Sequence, residues 1–131
     1  MDRSLLKIGE VSDRVGLSLR TIRFYEEAGL VVPETRSAGG FRLYAETAVA
    51  RLLLIKEMKP LGFSVEEMVE VLGDLDAMAD PGTSRHDAAE LAARLDAVRE
   101  RVQVRAAELL ETAARAHDFA VRLGEVADPH R

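Results

Sequence analysis

The first part of the chain carries apolar residues at the period of short amphipathic helices. Ile8, Val11 and Val15 lie at positions i, i+3 and i+7 and so line one side of a helix, which Gly16 is expected to end. Residues 1–6 precede this helix and are predicted to form a lead-in, with a short strand as one option. The pattern therefore predicts one short helix with a single buried face.

A second short helix follows after a tight turn. Ser18 is placed to cap its first turn and Gly29 to end it, while Ile22 recurs with either Tyr25 or Glu26 on one side. Two short helices joined by such a turn form a helix-turn-helix. The polar and aromatic side chains of the second helix offer the hydrogen bonds and flat surfaces that suit a DNA groove. On this helix, the predicted DNA-binding residues are Ser18, Arg20, Thr21, Arg23, Phe24 and Tyr25.

After the second helix the period changes to that of a strand. Gly39 and Gly40 indicate a hairpin turn, and the alternation that follows places Phe41 inward and Arg42 outward. By the same alternation, Leu43 is expected inward and Tyr44 outward. A hairpin after a helix-turn-helix is typical of a wing, whose outward arginine meets a phosphate or enters a minor groove. The predicted DNA-binding residues of the wing are Arg36, Arg42 and Tyr44.

Residues 46–58 predict a third helix that packs beneath the wing. Its predicted apolar face consists of Val49, Leu52, Leu53 and Ile55. Lys56 and Lys59 lie on a more polar side, where they either flank the phosphate backbone or only keep the surface solvated. Both are retained as predicted DNA-binding residues, and residues 61–63 are predicted to break the helix.

The rest of the chain is predicted to be helical around one loop. Ser64 and Glu67 form the Ser-x-x-Glu pattern of a capping box, and the helix that they begin is expected to run to Gly73. An acidic segment with a Pro-Gly pair follows and indicates a loop. After that loop, no proline or glycine occurs up to Leu123, which predicts a helix of about 60 Å. The predicted partition is a head at 1–73, a linker loop at 74–83, a dimerisation helix at 84–123 and a frayed tail at 124–131.

The long predicted helix has a narrow apolar stripe that it cannot bury alone. The same helix of a second copy is the nearest partner for it, and folding back on the head is the alternative. The head and loop offer too little surface to cover so long a rod, so the stripe predicts a homodimer. The predicted dimerisation residues are Leu91, Leu95, Val98, Val102, Ala106, Leu109, Ala113 and Ala116.

Two segments together resemble the MerR family of bacterial transcription regulators. They are IGEVSDRVGLSLRTIRFYEEAGLVVPETRSAGGFRLY and, further on, KPLGFSVEEMVEVL. Phe24 and Phe41 stand where the family often has tyrosine, and Pro60 where a helix former is common. The resemblance implies an all-α fold with a small hairpin wing and long helices that pair antiparallel. It also implies a palindromic promoter operator that is bent and undertwisted between its half-sites.

Composition narrows the chemistry. The net charge is -5, yet the first 45 residues hold seven Lys/Arg against six Asp/Glu, so DNA contact would depend on where a few arginines lie. The chain has no cysteine, which excludes disulfides and thiol sensing, and His86, His117 and His130 are too scattered for a zinc site. No nucleophile-base pair or phosphate loop is present. We therefore predict neither a metal, a cofactor nor an enzyme activity.

These patterns predict a cytoplasmic, sequence-specific transcription regulator with double-stranded DNA as its partner. RNA polymerase is a further candidate partner, and the chain has neither a membrane span nor a signal-peptide core. We expect no separate ligand-binding domain after the long helix, so any effector would either sit between head and coiled coil, near Met68, Leu72 and Met78, or be absent. The alternative is a protein-protein adaptor that does not bind DNA. Arg23 and Arg42 argue against it, because an adaptor does not need them.

Overall fold

The computed structural model describes residues 5–130, and the chain divides into two compact units between Thr83 and Ser84. We call the first unit the head. The elements are β1 (Leu6–Lys7), α1 (Ile8–Val15), α2 (Leu19–Glu27), β2 (Thr35–Arg36), β3 (Arg42–Tyr44), α3 (Glu46–Met58), a 3₁₀ turn (Lys59–Leu61), α4 (Val65–Ala79) and α5 (Arg85–Ala127). The predicted all-α fold with a small wing is confirmed.

Local capping explains the helix-turn-helix. Gly16 follows α1 with a φ of 71°, a left-handed conformation that glycine adopts without strain, and its N–H donates to the Ser12 carbonyl at 2.9 Å. Ser18 begins α2, and its hydroxyl accepts the Thr21 N–H at 3.1 Å. Both boundaries were predicted, because each depends on a few neighbouring residues.

The wing is part of a three-stranded antiparallel sheet in the order β1-β3-β2. The hairpin turn is closed by the Ser37 N–H, which donates to the Phe41 carbonyl at 2.7 Å, and Gly40 takes a φ of 83°. On the other side of β3, Leu6 pairs with Tyr44. The strand suggested for the lead-in thus exists at its end, while residues 1–4 lie outside the described part of the chain.

The predicted orientation of the β3 side chains is wrong. Phe41 was expected inward but is 68% exposed, and Tyr44 was expected outward but is fully buried. Phe41 belongs to the turn and not to the strand, and the pairing with β1 makes β3 the central strand. Arg42 and Tyr44 do share one face, as alternation requires, but that face is turned toward α2.

The core of the head lies where α1, α2, α3 and α4 meet. Its largest fully buried side chains are Tyr44, Ile22, Leu30, Leu52, Ile55, Met68, Leu72, Val11, Val15 and Val31. Helix α3 has the predicted bounds, but Leu53, predicted on its apolar face, is 43% exposed. Leu53 follows directly on the buried Leu52, and the step of about 100° per residue turns it away from the core.

Helix α4 is longer than predicted. The Ser64–Glu67 capping box is present, with the Glu67 N–H donating to the Ser64 hydroxyl at 3.1 Å. Gly73 was expected to end the helix, but the helix continues to Ala79. A glycine inside a helix costs only about 1 kcal/mol, whereas Pro81 forces the residue before it out of helical geometry. The loop therefore begins at Asp80, and the first part of the predicted linker is helical.

Helix α5 forms the second unit. The Ser84 hydroxyl accepts the Asp87 N–H at 3.1 Å, and the helix runs for 43 residues, about 64 Å at the standard rise. It passes Gly124, where the tail was expected to begin, and reaches Ala127. Among its described residues only Leu91 is buried. No helix in residues 5–130 combines the length and apolarity needed to cross a membrane.

Candidate nucleic-acid interface

The exposed side of α2 carries Arg20, Arg23 and Phe24. All three were predicted to contact DNA, and they lie on the surface because Ile22 and Tyr25 occupy the buried side of the same helix. The Phe24 ring is 53% exposed. This surface offers two guanidinium groups and an aromatic face on a helix. Such groups can contact base edges when a helix lies in the major groove.

Two of the predicted contact residues on α2 serve the fold. The Ser18 hydroxyl donates to the Thr21 hydroxyl at 2.9 Å in addition to accepting the Thr21 N–H. Tyr25 is only 3% exposed and belongs to the core. Its position three residues after Ile22 turns it inward. We therefore remove Tyr25 from the candidate interface and treat Ser18 as the helix cap.

Glu26 connects α2 to the wing. Its Oε1 accepts the Tyr44 hydroxyl hydrogen, and its Oε2 lies 2.7 Å from Arg42 Nε. Tyr44 is fully buried, so it too leaves the predicted DNA-binding set. Arg42 is half-buried and keeps part of its side chain at the surface. Sequence reasoning missed this role of Glu26, because its partners Arg42 and Tyr44 lie 16 and 18 residues away along the chain.

The environment of Tyr44 favours its neutral form. Burial, and then the hydrogen bond to Glu26, raise the pKa of the Tyr44 hydroxyl well above its ordinary value. A raised folded pKa stabilises the protein below the unfolded pKa, which is about 10, and this stabilisation is lost as the pH rises through the folded value.

We expect the wild-type head to lose stability above about pH 10 more steeply than Tyr44→Phe, which cannot ionise at this position. Chemical denaturation across alkaline pH measures this difference, and the absorbance of the phenolate form gives the ionisation directly. The chain has two tyrosines. The rise in phenolate absorbance that belongs to Tyr44, at the higher pH, must therefore disappear in Tyr44→Phe. Parallel stability profiles for the two proteins would contradict the buried hydroxyl.

A small cleft lies where the wing meets α2 and the start of α1. It has a volume of about 200 Å³ and is lined by Lys7, Ile8, Arg23, Gly40, Phe41 and Arg42. Three of these side chains are basic, and they come from three different elements. Such a cluster can hold a phosphate group, and Lys7 is the member that sequence reasoning missed.

The remaining predicted contacts have mixed roles. Lys56 Nζ donates to the Val15 carbonyl at 2.8 Å, so this lysine completes the end of α1. Arg36 Nη1 donates to the Gly40 carbonyl at 3.1 Å and braces the wing turn. Lys59 is exposed and borders a second depression beside Phe24. Of the predicted lysines, Lys59 is thus the better placed to meet a phosphate.

Arg51 is a further residue that sequence reasoning missed. Its Nε donates to the Leu30 carbonyl at 2.6 Å, and its Nη1 lies 2.9 Å from Asp76 Oδ1. Leu30 follows α2, and Asp76 lies on α4. Arg51 itself lies on α3, so it links the end of α2 to both α3 and α4. These links help to hold the exposed face of α2 in place.

Only one group of three potential metal ligands lies close together in residues 5–130. It consists of His86, Asp87 and Glu90, all exposed on the first turns of α5. His86 also lies 3.6 Å from Glu90 at the i, i+4 spacing of an ordinary helical pair. Exposed acids at a helix start usually interact with solvent and with the helix dipole, so we assign no metal site to them.

The predicted dimerisation stripe lies along α5. Leu91 is buried, Leu95, Val98 and Val102 are half-buried, and the later members from Ala106 onward are exposed. Leu123 continues the stripe and is exposed as well. From Ala106 onward the single chain leaves this apolar face exposed. Because a long exposed apolar row is unfavourable in water, the face needs a partner.

Comparison with known proteins agrees with this architecture. A family model described as MerR HTH family regulatory protein matches residues 6–75, and another described as MerR, DNA binding matches residues 49–116. The mercuric resistance operon regulatory protein of Bacillus cereus is 41% identical over 70 residues, which are 53% of each chain. The regulator HmrR of Rhizobium leguminosarum bv. viciae is 48% identical over 67 residues, 51% of each chain.

The match thus spans about half the length of these curated relatives. Among solved structures, HiNmlR, a MerR family regulator lacking the sensor domain and bound to promoter DNA, has a similar fold. The TM-score is 0.70 at 18% identity, over 95% of this chain and 93% of that one. Because the first family model covers more than half of the sequence, the chain belongs to the MerR family of helix-turn-helix regulatory proteins.

Proposed function

We propose that this protein is a DNA-binding transcription regulator that binds a palindromic promoter operator as a homodimer and distorts it between the half-sites. The observation that carries the proposal is the basic surface formed by α2 and the wing of a MerR-family head. Arg20, Arg23 and Phe24 are exposed there, beside a cleft that collects Lys7 and Arg42. In this assignment α2 enters the major groove, and the wing lies along the backbone.

The net charge of -5 makes the placement of these arginines decisive. An acidic chain gains no general attraction to DNA, so the positive groups must face the duplex together. The two guanidinium groups on α2 can each bond a guanine edge, while Lys7 and Arg42 of the cleft, together with Lys59, take phosphates. This division of labour supports sequence-specific binding over binding by charge alone.

Helix α5 supplies the dimer in this proposal. Antiparallel pairing of two such helices along the stripe would bury Leu95, Val98 and Val102 of both copies and set the heads at opposite ends. Two heads related by a dyad require a palindromic site with half-sites spaced by one helical turn of about 34 Å, or by multiples of it. If the fixed distance between the two heads differs from the distance between half-sites on straight DNA, binding would distort the DNA between them.

We place the regulator in the cytoplasm, because that is where the promoter DNA of a bacterial cell lies. RNA polymerase is the partner expected at a distorted promoter, and no effector is assigned. The adaptor alternative is not favoured, since a protein-binding role does not account for the exposed arginines of α2. It predicts that substitutions in this surface leave nucleic-acid binding unchanged.

Replacing Arg23 by alanine is expected to weaken operator binding by about 1 to 3 kcal/mol and to relax the preferred sequence at one position. Arg99→Ala is the matched control, because Arg99 is an exposed arginine on α5 paired with Asp96 at 2.8 Å. Each change removes one positive charge, so the two variants have the same net charge. Fluorescence anisotropy on a duplex that the wild type enriches from a random pool measures the difference. Equal losses for the two variants would refute the assigned role of Arg23.

A further inference from the structure

We propose that Glu26 is a positioning residue of the DNA-binding surface. Its carboxylate fixes Arg42 of the wing against α2 and so sets where this arginine meets a phosphate. The inference rests on the proposed function. Glu26 uses both carboxylate oxygens on one strand, since Oε1 accepts the Tyr44 hydroxyl hydrogen and Oε2 lies 2.7 Å from Arg42 Nε. Residues two apart on a strand face one side, which is why a single acid can hold both.

The exposure of the pair shows which partner is left for DNA. The Glu26 side chain is 16% exposed, whereas that of Arg42 is 38% exposed. A guanidinium group carries five N–H donors. Glu26 Oε2 forms an ion pair with Arg42 at its Nε edge, although the Nε–H itself is not aligned for a hydrogen bond. The exposed remainder of Arg42 lines the cleft that also receives Arg23 and Lys7. Glu26 thus anchors one edge of the guanidinium and leaves the other donors for an anion.

Glu26 also counters repulsion within the cleft. Arg23 from α2 and Arg42 from the wing line the same small cleft, and like charges that share a cleft repel each other. The wing touches α2 here through short side-chain contacts, and Glu26 supplies the negative charge between the two elements. Without it, the guanidinium of Arg42 has no anchor on α2 and the cationic cleft is free to open.

A positioning role and simple electrostatics predict opposite changes in DNA affinity when Glu26 loses its charge. A carboxylate near DNA repels phosphates, so neutralising it should tighten binding if Glu26 does nothing else. A positioning role predicts weaker binding when the same charge is removed. The two expectations differ in direction, and one substitution can decide between them.

Glu26→Gln is the test substitution. Glutamine keeps an oxygen that can accept the Tyr44 hydroxyl hydrogen, but it has no negative charge to pair with Arg42. We expect the affinity for the duplex that the wild type enriches from a random pool to fall about tenfold, although the net charge rises from -5 to -4. Equal or tighter binding by Glu26→Gln would overturn the inference.

Glu27→Gln is the matched control. Glu27 is the next residue of α2, it is exposed, and its substitution makes the same change in charge. We expect it to bind the duplex as tightly as the wild type or slightly more tightly. A loss as large as that of Glu26→Gln would show a general effect of charge or of helix stability and would overturn the positioning role.

Arg42→Lys keeps the inference testable if Glu26→Gln fails to fold, because an Arg42→Lys variant that binds as tightly as the wild type would show that the anchored guanidinium is not needed, and would overturn the inference by itself. Lysine keeps the charge but has no Nε for Glu26 and a single point of contact for a phosphate. Its expected loss is also about tenfold, and adding Glu26→Gln to it should cause little further loss, because both changes break one unit. Additive losses would overturn the inference. Tyrosine near-UV circular dichroism reports the folding of each variant.

The failure of the proposed function is distinguishable from the failure of this inference. A wild-type protein that enriches no duplex from the random pool overturns both. A wild type that binds a specific duplex, together with a Glu26→Gln variant that binds it equally well, overturns the positioning role alone.

Discussion

Replacing Leu95 and Val102 together by aspartate is expected to turn a dimer into folded monomers that no longer hold the operator. The two positions are seven residues apart on one stripe of α5, and both are half-buried in the single chain. In an antiparallel pair each charge would lie against apolar partners, at a cost of several kcal/mol that a solvated single helix avoids. Operator affinity should fall by about 10² to 10⁴, because one head reads one half-site and loses the gain from tethering.

Ala97→Asp with Val104→Asp is the matched control for this experiment. These two positions have the same spacing on the opposite side of α5, and both are exposed. They add the same charge without touching the stripe, so the variant should remain dimeric and bind the operator. Sedimentation velocity with circular dichroism separates dissociation from unfolding. A dimeric Leu95/Val102 variant with unaltered operator binding would remove α5 from the interface.

Leu52→Ala is expected to destabilise the head by about 2 to 5 kcal/mol. Leu52 is fully buried in α3, and truncation leaves a cavity that the surrounding helices fill only in part. Its neighbour Leu53 is 43% exposed, so Leu53→Ala should cost less than about 1 kcal/mol. The pair compares the same chemical change on adjacent residues of one helix.

Tyrosine signals can follow this unfolding in the head alone. Both tyrosines of the chain, Tyr25 and Tyr44, are buried in the head, while α5 contains none. Urea titrations followed by tyrosine near-UV circular dichroism thus report head stability without the large helical signal of α5. Similar midpoints for Leu52→Ala and Leu53→Ala would mean that the packing of α3 has been assigned wrongly.

Most of the helix boundaries could be predicted, because they depend on nearby residues. Gly16, Ser18 and Ser64 each act through a cap within four positions, and all three do so in the structure. Gly73 misled the prediction for the same reason. Its helical neighbours and the tertiary packing of Leu72 outweigh a local penalty of about 1 kcal/mol.

The candidate interface was less predictable, because it depends on pairing between distant segments. The alternation of β3 placed Arg42 and Tyr44 together, but only the pairing of Leu6 with Tyr44 and the position of α2 decide which way they face. The same long-range packing made Glu26 their partner. The pairing of the α5 stripe likewise depends on a second molecule, which the local pattern of one chain does not specify.

The stoichiometry of the wild-type protein on its enriched duplex tests the central claim most directly. A random pool selects the duplex, and sedimentation velocity with separately labelled protein and DNA counts the chains bound to it. We expect two chains per duplex and an enriched sequence whose halves are related by a dyad. A single chain per duplex, an enriched sequence without two-fold symmetry, or no enrichment would contradict the account.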